Sequence, residues 1–232
     1  MQALKELCYS PYFGVVLSIF MYQIGVFVSH KLKTPVANPL LIAVILIIAF
    51  LKIFRIPMEA FQTGGELITL FLAPATAALA VPIYKNLQIL KHNLLPILAG
   101  TLVGSFCSMA VIFALCKLFG LDETLTASLL SKSVTTPIAM GVTEQLGGIV
   151  PISIAAVIFT GIVGSIVAPL MVKLFRVDDP VAQGIGIGTC SHAVGTTRAI
   201  AMGELQGAMS GIAIGLAGFF TVLWAFLFAI LL

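Results

Sequence analysis

The sequence predicts an all-α polytopic membrane protein, and three observations carry that prediction. Of 232 residues, 60% are hydrophobic and 9% charged, with a mean hydropathy of +1.16; a water-facing domain carries roughly 25% charged residues. Several apolar runs reach the roughly 20 residues that cross a hydrocarbon core as a helix. Three of those runs are interrupted by proline, glycine and clustered polar residues, which predicts discontinuous helices, broken or re-entrant. Connections are short, so a single integral membrane domain over residues 1–232 is the simplest organisation.

About eight hydrophobic segments follow in order: 11–29, 36–54, 66–84, 94–118, 124–143, 151–173, 181–202 and 208–232. The first is preceded by Lys5 and Glu6, which cancel, and no Ala-x-Ala site follows it. It reads as a retained crossing rather than a signal peptide. The second opens with TPVANPLL, where Asn38 either caps the helix or lines a cavity. The third begins at Gly64–Gly65–Glu66 and breaks at Pro74. The fifth breaks at Pro137, and the seventh at Gly188 and Gly195, residues that interrupt or relax helical backbone. The smooth segments carry Gly100-x-x-x-Gly104 and the ridge Gly203, Gly207, Gly211, Gly215, which suit close helix packing within the chain or in a homo-oligomer.

The three broken segments look alike. LAPATAALAVP, SKSVTTPIAMG and VGTTRAIAMG align so that Thr76, Thr135 and Thr197 coincide, at offsets of 59 and 62 residues. This predicts an internal repeat of one interrupted and one continuous helix. Interrupted helices in matched positions point to the binding site of a transporter. With eight crossings, Lys5, Lys52, Arg55, Lys117, Lys173 and Arg176 face one side and Lys31, Lys33, Lys85 and Lys91 the other, which leaves the orientation open.

Two polar clusters lie within the broken segments: Lys132, Ser133, Thr135 and Thr136, then Thr189, Ser191, His192, Thr196, Thr197 and Arg198. Lys132 and Arg198 are the basic residues inside hydrophobic segments, where a charge costs at least ~2.5–3.5 kcal/mol without a cavity or partner. Glu144 and Glu204 stand only at the far ends, so cations outnumber anions and the clusters suit an anionic ligand. Half-helices starting after Thr135–Thr136 and after Gly195–Thr197 would aim free N–H groups at it, and Arg198 offers a fork for a carboxylate. Structural readings stand beside these: Lys132 reaching an interface, Arg198 pairing with Glu204, hydroxyls bonding their own helix, and His192 satisfied in a core. Net charge of +3 without a basic run excludes nucleic acid as a partner. The four cysteines lack metal-ligand spacing, so neither metal nor cofactor is expected. Ser191–His192 has no carboxylate orienter, so no enzyme is expected.

NPLL (38–41), LFLAPATAALAVPIY (70–84), SKSVTTPIAM (131–140) and GTCSHAVGTTRA (188–199) resemble the LrgB/CidB/YohK family of bacterial membrane proteins. The resemblance covers essentially the whole chain. It implies a bacterial cytoplasmic membrane and a small holin-like partner resembling LrgA. The family label is antiholin-like: a modulator of murein hydrolase activity and lysis. Relatives such as the plastid glycolate/glycerate translocator imply instead a carrier of small 2-hydroxy or 2-oxo acids.

Overall fold

Most helices start at a cap or a proline in the computed structural model, which describes residues 8–32, 37–71, 74, 77, 80–85 and 87–232. The helices are α1 (Pro11–Leu32), α2 (Pro39–Ile53), α3 (Met58–Thr69), α4 (Ala80–Lys85), α5 (Leu87–His92) and α6 (Leu94–Leu118). They continue with α7 (Glu123–Leu130), α8 (Thr136–Gln145), α9 (Val150–Leu174), α10 (Pro180–Met202) and α11 (Glu204–Leu231). Asn38, Asp122 and Asp179 cap α2, α7 and α10 by accepting backbone N–H groups of the first turn. Among the described residues there is no strand.

Among the described residues four helices, α1, α6, α9 and α11, are long and apolar enough to cross a membrane. The eight segments therefore do not become eight such helices. Segment 66–84 holds the end of α3 and all but the last residue of α4, and Thr76 lies outside the described residues. Pro74 is itself helical and exposed, but the break expected there falls largely on neighbours outside the described residues.

The chain divides into two compact units, Met1–Ala78 and Leu79–Leu232. In the first, α1 packs on α2 and α3 through bare backbone. A Cβ at Gly14 would meet Gly64 Cα at 2.9 Å, and one at Gly25 would strike the Pro39 carbonyl. Leu17, Met21, Ala43 and Leu51 fill the space between α1 and α2.

In the second unit, segment 124–143 is a re-entrant hairpin. α7 and α8 would be about 12 and 15 Å long, each too short for a core of roughly 30 Å. They run antiparallel. Ser131 at the end of α7 lies 3.2 Å from Thr143, and Ser128 one turn earlier accepts the Ile149 N–H at 2.6 Å. Residues 131–135 form the tip.

Segment 181–202 is a second hairpin, folded at His192, whose φ of 42° and ψ of −143° interrupt α10. A Cβ at Gly184 would meet Met209 Cβ at 2.7 Å, and one at Gly188 would meet Ala213 Cβ at 2.9 Å, so arm 180–191 runs parallel to α11. Thr196 contacts Ser210 at 2.7 Å and Gly207 faces Ile200, so arm 193–202 runs antiparallel to it. The break expected at Gly188 and Gly195 is thus displaced. Gly188 lets α11 approach, and Gly195 lets the second arm lie on Ile187 of the first.

The two hairpins enter this unit from opposite ends. Val181 and Ile185 pack with Ile97 near the start of α6, whereas Leu130 and Val142 pack with Phe228 near the end of α11. A long helix followed by a hairpin thus occurs twice in succession, α6 with 122–149 and α9 with 180–202. The residue alignment of the sequence is not reproduced. Thr135 stands in a tip, while Thr197 lies in the second turn of its arm.

Candidate functional site

Both tips stop halfway along α6 and α9. Tip 131–135 touches α6 through Ser133, whose hydroxyl lies 2.7 Å from that of Ser108. Val134 packs against Val157 of α9. The second tip reaches the same residue from the other end. His192 Nε2–H donates to the Val157 carbonyl at 2.9 Å. Glycines make room for it: Cβ atoms at Gly161 and Gly164 would sit 2.6 Å from the His192 ring and 2.5 Å from Ser191 Cβ. On the α6 side, Gly104 accommodates Thr189.

Lys132 is the cation at this meeting point. It is half-buried, donates to Ser133 Oγ at 3.1 Å, and lies within electrostatic range of Cys190 and His192. An ammonium has three donors, and Ser133 takes one. Thr189 is 3% exposed, and its hydroxyl has no hydrogen-bond partner among the described residues. Leaving such a group unpaired costs about 1–3 kcal/mol, so an oxygen-bearing ligand would relieve it. The α8 N-terminus begins at the tip, and Thr135 makes no side-chain cap bond there. A ligand with a negative group would meet an ammonium, hydroxyls and a positive helix end.

Thr196 is spoken for. Its single hydrogen goes to the His192 carbonyl at 2.9 Å, so it accepts from Ser210 at 2.7 Å. Ser191 packs into the Gly164 notch, and Thr136 is half-buried in the first turn of α8. Several expected residues lie elsewhere. Thr197 is exposed and bonds the Val194 carbonyl of its own helix at 2.7 Å. Arg198 is exposed, and among the described residues no ion pair joins it to Glu204. Because the chain reverses at His192, Arg198 is well into an arm already leaving the centre rather than at its start. Glu144 and Glu204 are exposed at the outer ends of α8 and α11. Asn38 caps α2, with its Oδ1 2.9 Å from Leu40 N.

The sequence reading missed Ser108, the Val157 carbonyl, and the glycines of α9. The spacing Gly161-x-x-Gly164 on one helix face was the available signal for them. Of the two cysteines in α6, Cys107 is exposed and Cys116 is buried.

The profile of the LrgB-like family matches residues 18–231. The chain belongs to that family. It is 41% identical over 214 residues to the antiholin-like protein LrgB of Bacillus cereus (strain B4264), covering 92% of this chain and 93% of the relative. The antiholin-like protein LrgB of Bacillus anthracis (strain A0248) matches equally, at 41% identity over the same shares. No solved structure matches. Family and apolar helices together make this LrgB-like chain a multi-pass protein of the bacterial cell membrane.

Proposed function

We propose that this LrgB-like chain carries small organic acid anions, 2-hydroxy and 2-oxo monocarboxylates such as glycolate, glycerate, pyruvate and lactate, together with an LrgA-like partner. One observation carries this reading: two re-entrant tips enter from opposite ends and meet beside Lys132 and the unpaired Thr189 hydroxyl. Opposed broken elements around a central polar site suit alternating access, because either hairpin can uncover the same site to its own side. The carboxylate would sit on Lys132 with Thr189 and Ser133 as neutral donors, and no bond of the anion is broken.

The name of the relatives, antiholin-like protein, supports a second reading more directly, in which the chain would regulate murein hydrolase activity and lysis through protein contacts. Reconstitution separates the two. The chain, with and without an LrgA-like partner, is placed in liposomes preloaded with unlabelled pyruvate, glycolate or lactate, and exchange for labelled acid is followed. Exchange above protein-free liposomes is the expected result. None with any acid in either arrangement, alongside a lysis phenotype on deletion, would leave the regulator.

A further inference from the structure

This inference rests on the carrier reading. Val157 is the residue both hairpins share, its side chain clustered with Val134 and Ala139 of one and its carbonyl taken by His192 of the other. A carbonyl can only accept, so Nε2 carries the hydrogen and Nδ1 is left as the basic atom of the ring. His192 is 4% exposed and sits at the fold of its hairpin, in backbone that strains a residue with a Cβ. A cavity of about 320 Å³ between α9 and arm 180–191 ends at Cys190 and Ser191, directly before it. Among the described residues the surroundings of His192 are nearly free of charge. α9 offers Val157 and Gly161, while on α6 Gly104 faces Thr189 and Ser108 faces Ser133, both uncharged. α11 offers Ser210, the opposite tip offers Lys132, and its own arm offers Cys190.

We infer that His192 is a proton-binding site linked through Lys132 to the bound carboxylate, so that a monocarboxylate and a proton cross together. The linkage is electrostatic. A proton on His192 places a second positive charge near Lys132, and charges at this depth are costly. A carboxylate at Lys132 cancels one of the two charges and attracts both, so the anion makes the proton easier to hold. By reciprocity the proton tightens the anion to the same degree. The balance closes: Nδ1 takes a proton from water on one side and returns it on the other. The carboxylate crosses intact, and the loaded site has the charge of the empty one. Those two states are the ones a hairpin can move across a low-dielectric core.

The test uses the full chain in liposomes, with an LrgA-like partner where exchange requires it, and labelled pyruvate as probe. With the outside one pH unit more acid and no anion gradient, wild type should accumulate pyruvate about tenfold, the ratio of proton activities. His192→Gln keeps a donor for the Val157 carbonyl but cannot titrate. Its exchange should be slower and flat with pH, and its accumulation lost. Accumulation by His192→Gln equal to wild type overturns the inference, as does wild-type exchange without accumulation. Absence of wild-type exchange overturns the carrier reading beneath it. If the variant fails to insert, proton uptake decides: pyruvate added to purified wild type in weakly buffered detergent should raise the pH, and no change overturns the linkage.

Discussion

The two hairpins of the larger unit have similar lengths and opposite construction. Hairpin 122–149 is stitched by hydroxyls: Ser128 accepts Ile149 N–H, and Ser131 lies within 3.4 Å of Ala139 O, Thr143 and Ser153. Hairpin 180–202 is seated on glycines, folded at a strained histidine, flanked by a cavity, and holds an unpaired threonine. Hydrogen bonds between buried groups resist separation because each broken one leaves unsatisfied partners. Glycine contacts slide more easily, since they rest on close approach without directional bonds. The first hairpin is held mainly by directional bonds and the second mainly by close backbone approach.

Topology is the sharpest way to break this comparison, and its outcome is all or none. In a background without the four native cysteines, Leu121→Cys and Gln145→Cys should label from the same side of the membrane. Asp178→Cys and Ala201→Cys should label from the other side. Lys91, Lys173 and Arg176 share the latter end of this unit, against Lys117 at the opposite end of α6 among the described residues, so that end is expected in the cytoplasm. Labelling of 121 and 145 from opposite sides would make segment 124–143 a crossing and abolish the hairpin.

Much of this was legible in the sequence, and the failures share one cause. Composition dictated the membrane class, and Pro137 marked the tip of the first hairpin. Hydropathy cannot register a reversal of direction, however. Two arms of eight to twelve residues add up to the length of one crossing, so 124–143 and 181–202 read as spans. Once 181–202 is taken as straight, Gly188 looks like a break and Arg198 like a group at mid-depth. With the fold at His192, Gly188 becomes a contact with α11 and Arg198 lies on the exposed face of the outgoing arm. The fold itself had only a weak sequence signature, because histidine is enriched at positive φ but far less so than glycine.

The next largest effect contrasts one glycine from each hairpin system. Gly164→Val would drive a side chain into Ser191 and unseat the second hairpin. Overpacking of this kind costs about 1–3 kcal/mol, so Tm in detergent should fall and exchange should be lost. Gly141 in α8 has nothing within 4 Å of an added Cβ. Gly141→Ala should therefore stabilise by about 0.5–1 kcal/mol through helix propensity. Equal Tm for the two variants would erase the distinction between glycine seat and hydroxyl stitch.

A smaller contrast sets two buried hydroxyls against each other. Ser131→Ala removes the hub of the first hairpin and should destabilise by about 1–3 kcal/mol while leaving ligand affinity in step with stability. Thr189→Val removes an unpaired hydroxyl at constant shape, so the protein should be as stable as wild type or more so. Pyruvate binding, read by titration calorimetry, should weaken by roughly tenfold, the worth of one ordinary hydrogen bond. Unchanged binding in Thr189→Val would take that residue out of the site.

The smallest expected effect belongs to the residue the sequence made most prominent. Arg198 combines a planar fork with a position inside a hydrophobic segment, and on those grounds alone Arg198→Lys should abolish binding of a carboxylate. The structure argues the reverse. Arg198 is exposed in the arm after His192, six residues past the fold, and makes no ion pair with Glu204 among the described residues. Among the described residues no contact of Arg198 uses the planar fork, and an ammonium keeps the charge. Pyruvate exchange by Arg198→Lys should therefore stay within about twofold of wild type, and Glu204→Gln should leave Tm unchanged. Lys132→Met in the opposite tip should abolish exchange in the same assay. A collapse with Arg198→Lys and survival with Lys132→Met would move the anion from the meeting point of the tips to the outer face of the second hairpin.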